Sequence, residues 1–116
     1  MRIKNFNLNV GNQIFKSLSE EPRIRIINLM LVFKEVCISD LEVVLDYTQS
    51  KTSRHLNFLK NSKIVNTQKK EQWTFYYINN EIYEFLESTY NYLEKDPQLK
   101  KDIETYRIML SNRVLA

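Results

Sequence analysis

Apolar positions recur mostly at helical spacing, with one stretch of strand-like alternation. Ile14, Phe15 and Leu18 share a face and predict a first helix over about 12–18. A second helix is predicted over 22–33, with Ser19 as its cap and Pro22 in its first turn, where a missing N–H costs nothing. Ile24, Ile26, Ile27, Leu29, Met30, Leu31, Val32 and Phe33 leave it almost no polar side, so it belongs at the centre of the core. Ser39 or Asp40 caps a short helix with Leu41, Val44 and Leu45 inward. Thr48 then caps a helix over 49–61 whose apolar stripe is narrow: Thr52, Leu56 and Leu59. Its opposite face carries Ser50, Arg54, Asn57 and Asn61, the pattern of a helix that meets a partner.

Residues 64–68 and 73–78 read as two strands, and 69–72 join them into a hairpin whose tip lacks the usual Asn-Gly or Asp-Gly. Trp73, Phe75 and Tyr77 alternate with Thr74 and Tyr76, as a half-buried strand requires. An amphipathic helix over 81–95 carries Ile82, Phe85, Leu86, Thr89 and Leu93, and Asp96-Pro97 ends it. A last helix over 98–112 places Leu99, Ile103, Tyr106 and Leu110 on one side. The order of these elements is that of a winged helix-turn-helix. The chain therefore reads as one mainly α domain with a small β-hairpin: residues 1–11 a loose arm, 40–61 the helix-turn-helix, 64–78 the wing and 81–112 the C-terminal helices.

Composition narrows the chemistry. The 116 residues contain one glycine, too few for a phosphate-binding loop or a dinucleotide fingerprint. One cysteine and one histidine leave no disulfide framework, no zinc site of several thiolates and no His-based metal hydrolysis. No nucleophile–base pair or paired acids stand out, so no enzyme activity and no cofactor are expected. No apolar run approaches the roughly 18 residues of a membrane span, and Met1-Arg2-Ile3-Lys4-Asn5 lacks the apolar core of a signal peptide. The expectation is a cytoplasmic domain without membrane contact. The net charge of +3 is unevenly spread. Between Tyr47 and Lys70 the basic residues are Lys51, Arg54, Lys60, Lys63, Lys69 and Lys70, with no acid among them. Between Asn80 and Glu104 acids dominate. A basic middle suits a polyanion; the acidic stretch faces elsewhere.

Four stretches resemble the ArsR/SmtB family of bacterial repressors, over about residues 12–95. Phe15-Lys16-Ser17-Leu18-Ser19 with Arg23-Ile24-Arg25-Ile26-Ile27 resembles F-K-A-L-(A/S)-D-P-T-R-L-R-I-L, the proline standing one place later here. Glu35-Val36-Cys37-Ile38-Ser39-Asp40-Leu41 resembles E-L-C-V-C-D-L. Thr48-Gln49-Ser50-Lys51-Thr52-Ser53-Arg54-His55-Leu56 resembles the recognition helix S-Q-S-T-V-S-R-H-L, and Trp73-Thr74-Phe75-Tyr76 the second wing strand W-V-Y-Y. The resemblance implies a bacterial transcription regulator, a homodimer built through its N- and C-terminal helices, with a recognition helix in each of two major-groove half-sites about 34–36 Å apart.

Candidate double-stranded DNA contacts follow from the resemblance and from side-chain chemistry. Gln49 suits an adenine edge, Arg54 a guanine or a phosphate, Ser50 and Ser53 either, and Lys51 a phosphate. Lys69 and Lys70 at the wing tip are expected at phosphates or the minor groove. His55 lies beside the buried stripe and reads equally as a structural hydrogen-bonding residue or a phosphate contact. Cys37 stands where the family's soft-metal sensors have the first of two cysteines, but the second position is Ser39. The family's other metal site needs histidines on the C-terminal helices, and there are none. No metal is expected, and the effector is unknown. Cys37 is either a small buried hydrophobe or a thiol switch. Tyr83, Tyr90, Tyr92 and Tyr106 either line a small-molecule pocket or pack an interface. Two other readings stay open: a redox-responsive switch acting through Cys37, and a winged helix used for protein–protein assembly.

Overall fold

A computed structural model describes residues 6–115. Helix α1 (Leu8–Ser17) starts four residues earlier than the pattern predicts, inside the expected loose arm. The Asn7 side chain accepts a hydrogen bond from Val10 N at 2.9 Å, so a segment that reads as Asn-rich and loose supplies its own N-cap. The first residues of the expected arm, 1–5, lie outside the described residues. Helix α2 (Glu21–Phe33) is central as expected, with Ile26, Ile27, Leu29 and Met30 fully enclosed. Ser19 is not its cap: Glu20 holds the cap position without a side-chain bond, and Ser19 Oγ donates to Lys16 O at the end of α1.

Strand β1 (Glu35–Cys37) is the element the pattern missed, since three residues are too few to show a period. It runs into α3 (Ile38–Leu45), so the expected caps Ser39 and Asp40 fall inside the first turn and Cys37 takes the cap position. Helix α4 (Gln49–Asn61) has the predicted bounds, and Thr48 Oγ1 accepts from Lys51 N at 3.1 Å. Strands β2 (Val65–Lys70) and β3 (Trp73–Ile78) form the hairpin, closed by two residues with Glu71 in the left-handed region at φ 58°. The predicted hairpin is thus part of a three-stranded antiparallel sheet, ordered β1-β3-β2, with Val36 opposite Tyr76 and Thr67 opposite Tyr76 on its other side.

Helix α5 (Asn80–Tyr90) ends five residues before the predicted Lys95. A single 3-10 turn (Asn91–Leu93) follows, and Asp96 Oδ2 accepts from Leu99 N to open α6 (Pro97–Leu115). Leu99 and Tyr106 of α6 are buried and Ile103 is half-buried, packed on α2 and α3. The predicted C-terminal stripe is therefore largely used within the chain, and Ile108 is the large apolar side chain α6 leaves outward among the described residues. Asp102, one of the acids of the 80–104 stretch, is buried and accepts two hydrogen bonds of 2.8 Å from Arg25. Three of the tyrosines are struts: Tyr83 OH donates to Leu31 O, Tyr90 OH to Ile24 O and Tyr106 OH to Asp40 Oδ2. Tyr92 lies on the surface. Among the described residues no helix is long and apolar enough to cross a membrane.

Candidate nucleic-acid interface

Helix α4 divides sharply by face. Thr52, His55, Leu56 and Leu59 are buried; Gln49, Ser50, Arg54, Asn57, Lys60 and Asn61 are exposed; Lys51, Ser53 and Phe58 lie between. The inward face is narrow because Thr52 satisfies its own hydroxyl, donating to Thr48 O at 2.8 Å, and so can pack like the valine it replaces in the family pattern. The outward face holds amides, hydroxyls and cations and no carboxylate. No acid stands in the first turn, so the helix presents its free N–H groups and positive dipole end unopposed.

A shallow open depression runs along this face, lined by Ser50, Ser53, Arg54, Asn57, Phe58 and Asn61 of α4 together with Glu20 and Arg23 from the start of α2. Three of the sequence-predicted residues (Ser50, Ser53 and Arg54) thus share it, Gln49 is exposed at the helix start and Lys51 is half-buried at the flank, and the structure adds Asn57. Asn57 was visible in the helical projection but lies beyond the matched motif. Lys51 is steadied from below: its Nζ sits 4.0 Å from the centroid of the Tyr47 ring. Tyr47, in the turn between α3 and α4, also receives a hydrogen bond from Arg25 Nη1 at 3.0 Å. That role has no local sequence signal, since Arg25 is 22 residues away.

His55 does not belong to the contact surface. It is 1% exposed, and its Nδ1 lies 3.3 Å from Arg23 Nη1. A guanidinium can only donate, so Nδ1 accepts and the ring proton sits on Nε2. Burial first, then the nearby Arg54 and Arg23 charges, lower its pKa. A neutral, enclosed imidazole is unsuited to phosphate, so of the two readings the structural one holds.

The wing sets Lys69 and Trp73 at its exposed end. Lys70 is drawn back: its Nζ is 2.6 Å from Glu35 Oε1 and lies over the Phe75 ring. Of the two lysines, Lys69 is the one left without an ion pair among the described residues. On the far side of α3, Cys37 is buried, with Ser39 Oγ 3.4 Å from its Sγ. Beside it Asp40 accepts from Tyr106 OH at 2.7 Å and from both terminal nitrogens of Arg113.

A family profile described as "Bacterial regulatory protein, arsR family" matches residues 20–67, from the start of α2 through α4 into the wing. The cadmium resistance transcriptional regulatory protein CadC of Listeria innocua is 30% identical over 95 residues, covering 81% of this chain and 80% of that one. The arsenical resistance operon repressor of Escherichia coli is 37% identical over 70 residues, 60% of each chain. Among solved structures, HlyU from Vibrio cholerae superposes with a TM-score of 0.65 at 28% identity, over 75% of this chain and 95% of its own. The homodimeric winged helix-turn-helix domain of Mb0332 from Mycobacterium bovis gives a TM-score of 0.64 at 18% identity, over 78% of this chain and 82% of its own, and so shares the fold. With the helix-turn-helix, the wing and these relatives in agreement, the chain belongs to the ArsR family of bacterial transcription regulators.

Proposed function

We propose that this regulator is a homodimeric repressor that reads an inverted-repeat operator in double-stranded DNA through α4, one recognition helix per major groove, with Lys69 on the wing at a phosphate. The observation that carries this reading is the two-faced α4: its inner stripe is fixed in the core, and its outer face offers Gln49, Ser50, Ser53, Arg54 and Asn57 with no acid among them. These are the groups that pair with base edges and phosphates. Support for a dimer comes from α1, whose Leu8 and Phe15 stand 90% and 65% exposed beside Phe6, itself 40% exposed, an apolar face left uncovered among the described residues.

Regulation through a thiolate-bound metal does not fit the residues present. A soft cation needs several thiolates, and Cys37 is the single cysteine. Its neighbours are a hydroxyl and a carboxylate already committed to Tyr106 and Arg113. Cadmium or arsenite is expected to leave the DNA complex intact.

Anisotropy titration with duplex from the protein's own upstream region tests the central reading. Arg54→Ala should weaken specific binding by about 1–3 kcal/mol. Lys69→Ala should weaken all duplexes alike and lower the salt slope by about one. Unchanged binding by Arg54→Ala would overturn α4 as the reading element. Absence of any salt-dependent duplex affinity would point instead to protein–protein assembly.

A further inference from the structure

Arg23, at the start of α2, is 4% exposed yet carries a full charge. Its Nε donates to Ser17 O at 3.0 Å and its Nη2 to Lys16 O at 2.9 Å, two carbonyls at the open end of α1. Its Nη1 lies 2.9 Å from Glu20 Oε2 and 3.3 Å from His55 Nδ1. The guanidinium carbon sits 4.0 Å from the centroid of the Phe58 ring. His55 and Phe58 are three residues apart on α4, one turn. A single cation therefore joins the C-terminus of α1, the N-terminus of α2 and the middle of α4.

We propose that Arg23 is a positioning residue for DNA reading: it sets the rotation and height of α4 by gripping His55 and Phe58 from a base fixed on α1. The proposal rests on α4 being the recognition helix. Side-chain chemistry supports Arg over any substitute. Hydrogen bonds fanning from all three nitrogens and the flat face over Phe58 require a planar guanidinium, and a lysine ammonium supplies neither. Direct DNA contact is a poor use of this residue, because all three of its nitrogens are hydrogen-bonded within the protein, Nη1 is also ion-paired with Glu20, and its surface is enclosed. Arg54, one residue before His55, shares the helix turn but points outward, so the two arginines divide support from contact. A helix held a fraction of an ångström out of place keeps its phosphate attraction and loses base pairing, so the expected defect is in specificity.

The test compares Arg23→Lys and Arg23→Met with Arg54→Ala, each titrated with operator and random duplex at several salt concentrations, with the folded fraction set by circular dichroism. Loss of the charged hydrogen bonds and stacking should lower operator affinity about tenfold or more in both Arg23 variants. Random-duplex affinity and the salt slope should stay as in the native protein. The His55 pKa, read by NMR, should rise in Arg23→Met, and Lys should not rescue specificity. Native operator affinity in folded Arg23→Met would overturn the proposal. So would a salt slope lowered by about one, which marks a phosphate contact. If the Arg23 variants do not fold, Phe58→Leu decides. It removes the stacking half of the grip on α4 and leaves the anchors on α1 in place, so selective loss of operator affinity supports the proposal and native affinity overturns it. An unaffected Arg54→Ala would instead remove the reading of α4 on which the proposal rests.

Discussion

His55 reports the state of α4 through pH. The groups facing it are Arg23 and Glu20 from the start of α2, with Arg54 and Lys51 on its own helix. Burial and three of these charges oppose protonation, and Glu20 alone favours it. An imidazole whose pKa falls on folding binds its proton more readily in the unfolded chain. Stability is then full above the ordinary value of 6.5 and declines as pH drops below it. Melting temperature should fall through that window, and His55→Asn, which keeps an acceptor near the Nδ1 position, should flatten the decline. Asp40 acts in a separate, lower window. Burial pushes its pKa up, but hydrogen bonds from Arg113, Tyr106 and Cys37 outweigh this and hold it below 3.8. Its contribution is therefore present above that value and is lost only as pH falls through the depressed pKa. At this scale the placement of a side chain was legible where helix face decides it: Arg54 and Ser53 stand off the buried stripe of α4, as the periodicity predicts. The sequence reading missed Arg23 and Tyr47, because their roles depend on partners brought from other helices. The ion pair of Lys70 was missed for the same reason, since nothing near it in sequence announces Glu35.

Among the elements, α4 was readable to its end residues because capping chemistry and periodicity agree there. Thr48→Ala removes the cap and should cost about 1 kcal/mol. Chemical denaturation measures that loss, and a shift in midpoint with unchanged slope would locate it in the folded state. The turns were harder to read. Lys34, Asp46, Lys63 and Glu71 all adopt positive φ without being glycine, while Gly11 sits within α1 at ordinary helical geometry. A reader looking for glycine finds no punctuation at these four places. Each carries some strain, so Glu71→Gly at the wing turn should raise stability by roughly 0.5–1 kcal/mol. Thermal melts of the two proteins would show it; a lower melting temperature would mean that the freedom glycine adds to the unfolded chain outweighs the strain it relieves. Strand β1 escaped notice because it is short, although it decides what the wing is attached to.

Across the whole molecule, one ion pair closes the fold over a long span. Arg25 and the buried Asp102 stand 77 residues apart in sequence, and Arg25 also holds Tyr47 at the turn before α4. Asp102→Ala leaves a cation without its partner and should cost about 3–5 kcal/mol, measured by denaturant unfolding. The uneven charge looks different in this light. Part of the acidic C-terminal segment is structural, so the contrast between a basic face and an acidic face is milder than counting residues suggests.

The third strand has a thermodynamic consequence. A two-stranded hairpin alone is marginal in water, but here β3 is hydrogen-bonded on both edges, and β1 continues without a break into α3. On the proposed reading the wing would therefore meet a duplex already ordered and in fixed relation to α3 and α4. Little ordering entropy remains to be lost on contact, so the heat-capacity change of complex formation should match the apolar area covered by rigid docking. Calorimetry over a range of temperatures would reveal a larger negative value if the wing folded only on the DNA.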